Sequence, residues 1–481
     1  MLSARIRTSL ANYGRRTVIE EAGGQWRLDG DQLLGAASFL LEVLAPYTGR
    51  PLIAYLQKGP LYYAFLACSF LNRLDFCPVD IDNPIQRVFD IADQLSGSVI
   101  VCDGDEALAR LRKHTERCLK VEISFPGVER KQAKDVPGRD ASYYIATSGS
   151  TGVPKLVQVP HDRTIAFLDW AIPFYEIDDS SRWGQFSSIG FDLSLVDFLA
   201  VICGGGTLIS LSAQMDRIRP AKAAARGSLT HWHSVPSMIP YFLREPEDIG
   251  PSTCRLFTFC GELFIQADAD RLAARYPRAR IINTYGPTEA TLFCSFFEYS
   301  RDSAGPTEAS LPIGQPIPGW NFVLIPEDGA FRLVILSDNI SSGYINLRSL
   351  QFTTVALFGR EMRAFDTGDY FRRVGTQLYF SHRKDTMVKV NGHRIDLGEI
   401  EAAAKRSGLV NPVAMVVDNM IALAAEGSAD ANPHARIELA QYLPRASLPA
   451  EVRFVPAHPR TVSGKLDRRA IRVAFGAIHG R

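Results

Sequence analysis

The chain of 481 residues is 46% hydrophobic and 22% charged, which is the composition of an ordinary globular protein. Its 53 Lys and Arg nearly cancel its 52 Asp and Glu, so charge gives no support to a nucleic-acid partner or a membrane partner. The length is too great for one hydrophobic core, so two or three domains are expected. Because the N-terminus lacks an apolar secretory segment and runs such as Leu61–Leu71 are too short to cross a bilayer, a cytoplasmic protein is expected.

Short apolar runs alternate with amphipathic segments up to about residue 380, which predicts repeated α/β units. The pattern predicts helices over Gln32–Leu44, with Asp31 as the N-cap, and over Arg271–Tyr276. It predicts buried parallel strands over Leu52–Leu56 and Ser98–Cys102.

The segment Thr147–Lys155 follows an apolar stretch and consists of small hydroxyl residues and glycines closed by a lysine. Glycines let backbone N–H groups turn toward an anion, hydroxyls add donors, and Lys155 supplies a positive charge. The segment does not match the Walker pattern G-x-x-x-x-G-K-[ST]. Taken alone, it predicts either a phosphate-binding loop or a flexible surface loop.

The eight cysteines include no C-x-x-C pair, and most stand among apolar residues, so buried free thiols in a reducing compartment are expected. His231 and His233 have the spacing of a metal pair, but no third ligand follows at a matching spacing. Histidines of the core or of a pocket are therefore favoured over a metal site.

A polar, charged segment around residue 382 separates two stretches that differ in their pattern of apolar residues. After it, Met387–Val390 predicts a strand, Gly392 a turn, and Asp396–Ala404 a helix. We therefore predict a large N-terminal domain over residues 1–381, a hinge over 382–385 and a small C-terminal domain over 386–481.

Six motifs occur in order along the chain: TSGSTGVPK (147–155), FDLSLVD (191–197), NTYGPTEAT (283–291), DTGD (366–369), HRKDTMVKVNGHRID (382–396) and SGKLD (463–467). Together they resemble the adenylate-forming superfamily, which includes peptide-synthetase adenylation domains, acyl-CoA synthetases and luciferases. The resemblance extends from about residue 25 to Arg469. It implies an α/β fold with an N-terminal adenylate-forming domain of several subdomains and a small, mobile α+β C-terminal lid.

The resemblance implies attack of a carboxylate on the α-phosphate of ATP, with Mg²⁺ as cofactor. Because two anions must meet, catalysis is mostly neutralisation of charge and positioning. Magnesium prefers carboxylates and phosphates, which suits Glu289, and a carboxylate suits the ribose diol, which suits Asp369. Lys465 contacts the reacting groups in the adenylation state. The lid then rotates about Asp385 and presents the Gly392 region to a pantetheine thiol.

The same resemblance assigns further residues to these roles. Catalytic residues are Lys155, Thr288, Glu289 and Lys465. Nucleotide-binding residues are Thr147, Ser148, Gly149, Ser150, Thr151, Gly152, Gly261, Asn283, Thr284, Tyr285, Gly286, Asp369 and Arg383.

Asp192 stands where members that activate amino acids keep an aspartate for the substrate ammonium. A buried carboxylate needs a cationic partner, so this role is favoured over the alternative, an N-cap of the helix that begins near Leu193. Alignment on the motifs lines the amino-acid pocket with Leu193, Val196, His233, Thr258, Cys260, Thr284, Leu292 and Phe293.

The segments around Cys260 and Tyr285 resemble most the D-alanine:D-alanyl carrier protein ligases, in which the pocket cysteine crowds one face of the substrate Cα. A small D-amino acid is expected, while His233 and Thr258 leave serine, glycine or L-alanine open. The partner implied is a phosphopantetheinylated carrier protein supplied in trans.

The sequence departs from the family pattern at Leu156, Asp366 and His382, and Asp366 places a negative charge near the nucleotide. Two alternatives stay open. An acyl- or aryl-CoA ligase is disfavoured by Asp192. A catalytically weak nucleotide-binding homologue is disfavoured because the charged residues of the motifs are retained.

Overall fold

The structure is a computed structural model that describes residues 1–123, 125, 140–147, 153–246, 253–301, 310–327, 329–357, 359–383, 387–427, 434–459, 466 and 468–476. The helices are α1 Leu2–Tyr13, α2 Gly30–Leu44, α3 Pro60–Leu71, α4 Ile85–Gln94, α5 Asp105–Arg112, α6 Thr164–Phe174, α7 Asp192–Gly204, α8 Gln214–Ile218, α9 Pro220–Arg226, α10 Ile239–Arg244, α11 Gln266–Arg275, α12 Leu397–Arg406, α13 Ala435–Leu439 and α14 Arg468–Gly476.

The strands are β1 Thr17–Glu21, β2 Arg27–Asp29, β3 Leu52–Leu56, β4 Phe76–Asp80, β5 Val99–Cys102, β6 Cys118–Lys120, β7 Ser142–Thr147, β8 Lys155–Pro160, β9 Arg182–Gln185, β10 Thr207–Ser210, β11 His231–Ser234, β12 Leu256–Cys260, β13 Arg280–Tyr285, β14 Ser295–Glu298, β15 Gln315–Pro316, β16 Asn321–Glu327, β17 Ala330–Leu336, β18 Gly343–Tyr344, β19 Phe352–Leu357, β20 Arg360–Val374, β21 Gln377–Arg383, β22 Met387–Val390, β23 His393–Asp396, β24 Val410–Val417, β25 Met420–Glu426 and β26 Glu451–Val455.

Two mostly parallel sheets carry the first two thirds of the chain. One has the strand order β18-β8-β7-β4-β3-β5-β6, and the other has the order β15-β14-β13-β12-β11-β9-β10-β1-β2. The largest hydrophobic core takes residues from both sheets and from the helices α1, α2, α3, α6 and α7. Helices cover the outer faces as well, with α4 and α5 on the first sheet and α9, α10 and α11 on the second. This layering is the α/β fold that the alternating pattern predicts.

A third sheet, built from β16, β17, β20, β19 and β21, follows the two large ones. Beyond Arg383 the chain forms the β22–β23 hairpin and a sheet of β24, β25 and β26, which pairs with no described strand before residue 383. These strands form two separate small cores, one with α12 and α13 and the other with α14. The division into two domains remains our prediction, and this separation of the sheets and cores is what supports it.

Most of the predicted elements are confirmed. The strand over Leu52–Leu56 has the predicted bounds, and its five residues are all buried. The helix predicted over Arg271–Tyr276 begins earlier, since α11 starts at Gln266. The predicted N-cap of α2 is wrong. Asp29 accepts the N–H of Gln32 and the Gln32 side chain accepts the N–H of Asp29, which is a capping box, while Asp31 lies inside the first turn.

All eight cysteines are free thiols, and Cys203 alone among them is not fully buried. Burial raises the pKa of the Cys77 thiol to about 12, so that thiol stays protonated and unreactive at neutral pH. Across the described ranges, no helix has the length and apolarity needed to span a membrane.

Candidate adenylation site

Glu289 is the buried carboxylate of the predicted phosphate end of the site. It lies in the short turn Thr288–Ala290 with no solvent exposure, and one of its oxygens accepts the hydroxyl of Tyr344 at 2.6 Å. The ammonium of Lys155 lies 5.5 Å from the centre of the Tyr344 ring. Thr147 pairs with Lys155 across the β7–β8 hairpin, so the two end residues of the predicted phosphate-binding segment lie side by side. A buried carboxylate and an ammonium therefore both lie near Tyr344.

Asp369 and Arg383 form the predicted ribose end. The Arg383 guanidinium donates to one carboxylate oxygen of Asp369, and the Tyr285 hydroxyl donates to the other at 2.6 Å. Asp369 is 3% exposed, so this arrangement is fixed by its surroundings. Burial and the negative charge of Asp369 raise the pKa of Tyr285, which keeps its hydroxyl protonated and able to donate.

Asp192 is the first residue of α7 and is 8% exposed. The N-cap residue is Phe191, and no side chain caps this helix end, so the alternative role of Asp192 as an N-cap is wrong. Burial raises the pKa of the Cys260 thiol, and the negative charge of Asp192 adds to that rise, which places the two side chains near one another. The carboxylate also lies where the positive end of the helix dipole stabilises a negative charge.

The predicted pocket wall comes from the helix α7 and from three neighbouring strands of the second large sheet. Val196, on α7, is fully buried, and Leu193 on the same helix lines a cavity. His233, Thr258 and Thr284 lie on β11, β12 and β13, and His233 pairs in register with Thr258. All three are buried, and the Thr284 hydroxyl donates to the carbonyl of Phe259 at 3.0 Å. The structure therefore brings the predicted pocket residues of α7 and of the three strands to the same side of the second large sheet.

His233 has a buried partner that the sequence did not suggest. Its Nδ1 lies 2.5 Å from the Asp197 carboxylate, which also accepts the indole N–H of Trp183 at 2.8 Å. His233 and Asp197 are fully buried. The described residues contain no group of three or more potential metal ligands. His233 is thus a buried histidine oriented by a carboxylate.

The backbone around Leu292 is held in an unusual conformation. Thr291 and Leu292 have φ values of 65° and 67°, a region that side chains rarely adopt. Gly286 passes so close to this segment that a Cβ there would lie 2.4 Å from the Cα of Phe293. Phe293 then packs edge-on against Phe167, with ring centres 4.7 Å apart. Large side chains therefore fill this wall of the predicted pocket.

A cavity of about 550 Å³ runs between the two parts of the chain. Leu193 and Thr288 line it, and so does Gly392 in the turn of the β22–β23 hairpin. Gly392 has φ 81°, and a Cβ there would lie 2.4 Å from a methyl group of Val235. The Gly392 N–H donates to Glu262, which also accepts the N–H of Ser237 at 2.9 Å. The hairpin is thus held at the wall of this cavity.

A buried ion pair joins the same two parts of the chain. Arg87 on α4 donates to Glu399 on α12 at 2.8 Å, and their side chains are 10% and 2% exposed. The ring of His393 stands edge-on against Phe191, with centres 5.0 Å apart. From the same hairpin, the Lys389 ammonium reaches to 5.8 Å from the centre of the Tyr285 ring.

Several predicted site residues either lie outside the described residues or make contacts other than those described above. Ser148, Gly149, Ser150, Thr151, Gly152, Asp385 and Lys465 lie outside the described residues. The amide of Asn283 donates to the carbonyl of Pro312, away from the Asp369 cluster. Gly261 follows β12 with φ 94°, near Val235 and Gly392.

The three departures from the family pattern have structural partners. Leu156 is fully buried in the core between the first sheet and the helices α4 and α5. His382 stacks on Tyr370 with ring centres 4.6 Å apart. Asp366 forms an ion pair with Arg332.

Sequence reasoning missed Tyr344, Asp197 and Lys389. Asp197 and Lys389 stand inside the quoted motifs, so a test of every charged motif residue would have included them. Tyr344 stands beyond the motifs, and nothing local in the sequence connects it with Glu289.

The fold and this arrangement of charges define an AMP-forming ligase. The chain belongs to the family of AMP-binding enzymes, whose model matches residues 48–344.

Relatives of known name agree with this class. The D-alanine--D-alanyl carrier protein ligase of Bacillus licheniformis is 29% identical over 457 residues, which cover 88% of this chain and 89% of that protein. The ligase of the same name from Listeria monocytogenes is 28% identical, with coverage of 90% and 91%.

Solved structures confirm the fold over nearly the whole chain. The Vibrio cholerae adenylation domain AlmE, in complex with glycyl-adenosine-5'-phosphate, has a TM-score of 0.82 at 18% identity and covers 98% of each chain. PA1221, a nonribosomal peptide synthetase protein that contains adenylation and PCP domains, also has a TM-score of 0.82, at 23% identity, with 98% of this chain and 83% of that one covered.

Proposed function

We propose that the protein uses ATP to convert a small amino acid to an aminoacyl-adenylate and then transfers the aminoacyl group to the phosphopantetheine thiol of a separate carrier protein. The amino acid resembles D-alanine in size, and L-alanine, serine and glycine are the other candidates. In the first step a carboxylate oxygen of the amino acid attacks the α-phosphate and pyrophosphate leaves. In the second step the thiol sulfur attacks the carbonyl carbon, AMP leaves, and the thiol proton passes to solvent.

The observation that carries this proposal is the buried carboxylate of Asp192 at the pocket. Its side chain is not used to cap α7, although it occupies the first turn. A desolvated carboxylate is stabilised by an opposite charge that binds against it, and the ammonium of an amino acid supplies one. A carboxylic acid without an amine supplies none. The relatives that are named as amino acid ligases support the same choice.

The charges at the phosphate end suit the first step. Lys155 and the loop before it would hold the β- and γ-phosphates, and Asp369 and Arg383 would hold the ribose. Glu289 is a fully buried carboxylate that shares the neighbour Tyr344 with Lys155, which fits a magnesium ion shared with the phosphates. When bound, Mg²⁺ neutralises the charge of the leaving pyrophosphate. Lys465 is proposed, from the resemblance alone, to neutralise the charge that grows on the α-phosphate.

The cavity between Thr288 and the Gly392 hairpin suits the second step. Its volume of about 550 Å³ admits an extended pantetheine arm. Its inner wall contains Leu193, next to the proposed amine ligand Asp192. A thiol that entered along this path would arrive at the side of the pocket where the adenylate carbonyl lies.

Exchange of labelled pyrophosphate into ATP tests the first step. We expect exchange with D-alanine, L-alanine, serine or glycine and no exchange with acetate, propionate or benzoate. Exchange with the amine-free acids alone would indicate an acyl- or aryl-CoA ligase. An absence of exchange with every acid would indicate a nucleotide-binding homologue without this activity.

A further inference from the structure

Two arginines line the opening of the cavity at the surface. Arg217 lies on α8, in the N-terminal part of the chain, and Arg445 begins the short turn Arg445–Ser447 in the C-terminal part. Both side chains are exposed. Neither side chain forms a hydrogen bond or an ion pair with another residue in the part of the chain that the structure describes. Two cations from different parts of the chain thus border one opening.

Arg217 is close to the hairpin that forms the inner wall. Burial lowers the pKa of His393 to about 4, and the positive charge of Arg217 contributes to that shift. The lining of the cavity therefore includes the apolar Leu193, next to Asp192, and the two exposed cations Arg217 and Arg445.

Among the described residues, the carboxylates that share this cavity form no ion pair with either arginine. Asp80 accepts the N–H of Asp82 at 3.1 Å and the hydroxyl of Ser188 at 2.5 Å. Asp82 is exposed, and Glu399 is bound by Arg87. An anion at the opening would therefore find two cations that are not committed to these groups.

The pantetheine arm that the proposed function requires has the complementary polarity. Its thiol end and its amide chain are uncharged, and its other end carries a single phosphate. If the thiol reaches Leu193, the phosphate lies toward the opening. We propose that Arg217 and Arg445 bind this phosphate and so hold the arm in the cavity for transfer. This subsite rests on the proposed transfer to a pantetheine thiol.

The surface beside the arginines favours a carrier protein over coenzyme A as the source of the arm. Met215, Ile218 and Tyr241 are 55%, 54% and 43% exposed, and Ile218 and Tyr241 line the cavity itself. Exposed apolar side chains at such an opening suit packing against a protein surface. The nucleotide of coenzyme A would need further cations, and Arg244 next to this patch already stacks on Tyr241 at 5.0 Å.

Three small acceptors test the subsite in the full-length enzyme: pantetheine, 4′-phosphopantetheine and coenzyme A. Preformed aminoacyl-adenylate is supplied, and thioester formation is followed by mass spectrometry to give a KM for each thiol. We expect 4′-phosphopantetheine to have a KM about tenfold below that of pantetheine, because charge-assisted hydrogen bonds to phosphate are the strong ones. Arg217→Gln together with Arg445→Gln should abolish this difference, and each single variant should reduce it. Arg244→Gln, the neighbouring exposed arginine, is the matched control.

Pyrophosphate exchange in the same variants shows that the pocket is intact, since neither arginine serves the first step. A double variant that exchanges normally and keeps the full preference for 4′-phosphopantetheine would overturn the subsite. Use of coenzyme A at a KM tenfold below that of 4′-phosphopantetheine would overturn the assignment to a carrier.

The failure of this subsite differs from the failure of the proposed function. Equal use of pantetheine and 4′-phosphopantetheine by the unmodified enzyme refutes the subsite alone. Exchange without transfer to any thiol refutes the transfer step and the subsite with it.

Discussion

Asp366 and Arg332 form an ion pair at an irregular point of β20, just before the proposed ribose ligand. Arg332 donates to Asp366 and also, at 2.8 Å, to Glu327, while the other carboxylate oxygen of Asp366 accepts the N–H of Gly368 at 3.1 Å. Gly368 has φ 67° and directly precedes Asp369. The negative charge that the sequence predicts near the nucleotide is thus balanced by a cation on β17, and its carboxylate also accepts a backbone N–H where the register of β20 shifts.

Removal of this ion pair should weaken nucleotide binding. We expect Asp366→Ala to raise the KM for ATP in pyrophosphate exchange by about tenfold, because Gly368 loses its acceptor and Arg332 loses one of its two carboxylate partners. The KM for the amino acid should change less than twofold. Asp338→Ala breaks an exposed pair with Arg360 and is the control. Equal changes in both KM values would show a general loss of structure.

The charge of Asp192 is expected to be essential for amino acid binding. Asp192→Asn keeps the shape of the side chain but removes the counter-charge of the ammonium. We expect exchange to fall by about 10²–10³, the scale of one uncompensated buried charge, while ATP binding measured by calorimetry is retained. Asp169→Asn, at an exposed carboxylate, is the matched control. An unchanged KM for the amino acid in Asp192→Asn would disprove the assignment.

Local signals predicted much of the fold. The buried strand Leu52–Leu56 and the turn at Gly392 are fixed by composition and by backbone geometry, so the sequence indicates them directly. The N-cap of α2 was missed although its signal was present. Asp29 stands three residues before Gln32, which is the spacing of a capping box, while Asp31 is merely the aspartate nearest the apolar run.

The contacts that complete the site could not be predicted in this way. Arg332 reaches Asp366 because β17 and β20 are adjacent, and Arg87 reaches Glu399 across 312 positions of sequence. Nothing local distinguishes these residues from other surface charges. The motifs identified the groups that we propose to contact the substrates, and the tertiary structure was needed to identify the residues that hold them.

Cys260 is expected to control stereochemical preference. It is 3% exposed, and its pKa is raised by burial, so it acts as a small apolar group. Cys260→Gly should enlarge the pocket beside the substrate Cα and reduce the ratio of D- to L-alanine exchange by about tenfold, in line with ~1–3 kcal/mol for a contact of this size. Cys294→Ala, at another buried thiol, should leave the ratio unchanged. A constant ratio in Cys260→Gly would make this residue an ordinary core thiol.

The docked hairpin should make the transfer step sensitive to acid. Burial lowers the pKa of His393 from 6.5 to about 4, with Arg217 acting in the same direction and Asp80 opposing it. The undocked hairpin therefore takes up a proton below pH 6.5 and the docked one does not, so docking is disfavoured as pH falls toward 4. Between pH 7.5 and 5.5 this effect alone should reduce docking about tenfold.

His393→Phe keeps a ring against Phe191 and removes the titration. Burial raises the pKa of Glu399, and this shift favours docking at low pH, in the opposite sense to His393. Glu399 is present in both the unmodified protein and the His393→Phe variant, so its effect is the same in each. The transfer rates of the two proteins should therefore diverge by about tenfold on acidification. Parallel pH profiles would show that His393 does not control docking.

The last prediction separates the two half-reactions. A Cβ at position 392 would collide with Val235, so Gly392→Ala should prevent the hairpin from docking as it does here and slow transfer from a preformed adenylate. Arg87→Met, which removes the partner of Glu399, should slow the same step. Adenylate formation should be nearly unchanged in both variants, because neither residue lies in the proposed ATP site.

Lys465→Ala should show the reverse, with adenylate formation slowed by about 10²–10³ and transfer intact. Rapid-quench measurements of both steps in all three variants would give this crossed pattern, and equal losses in both steps would mean that the two parts of the chain do not alternate.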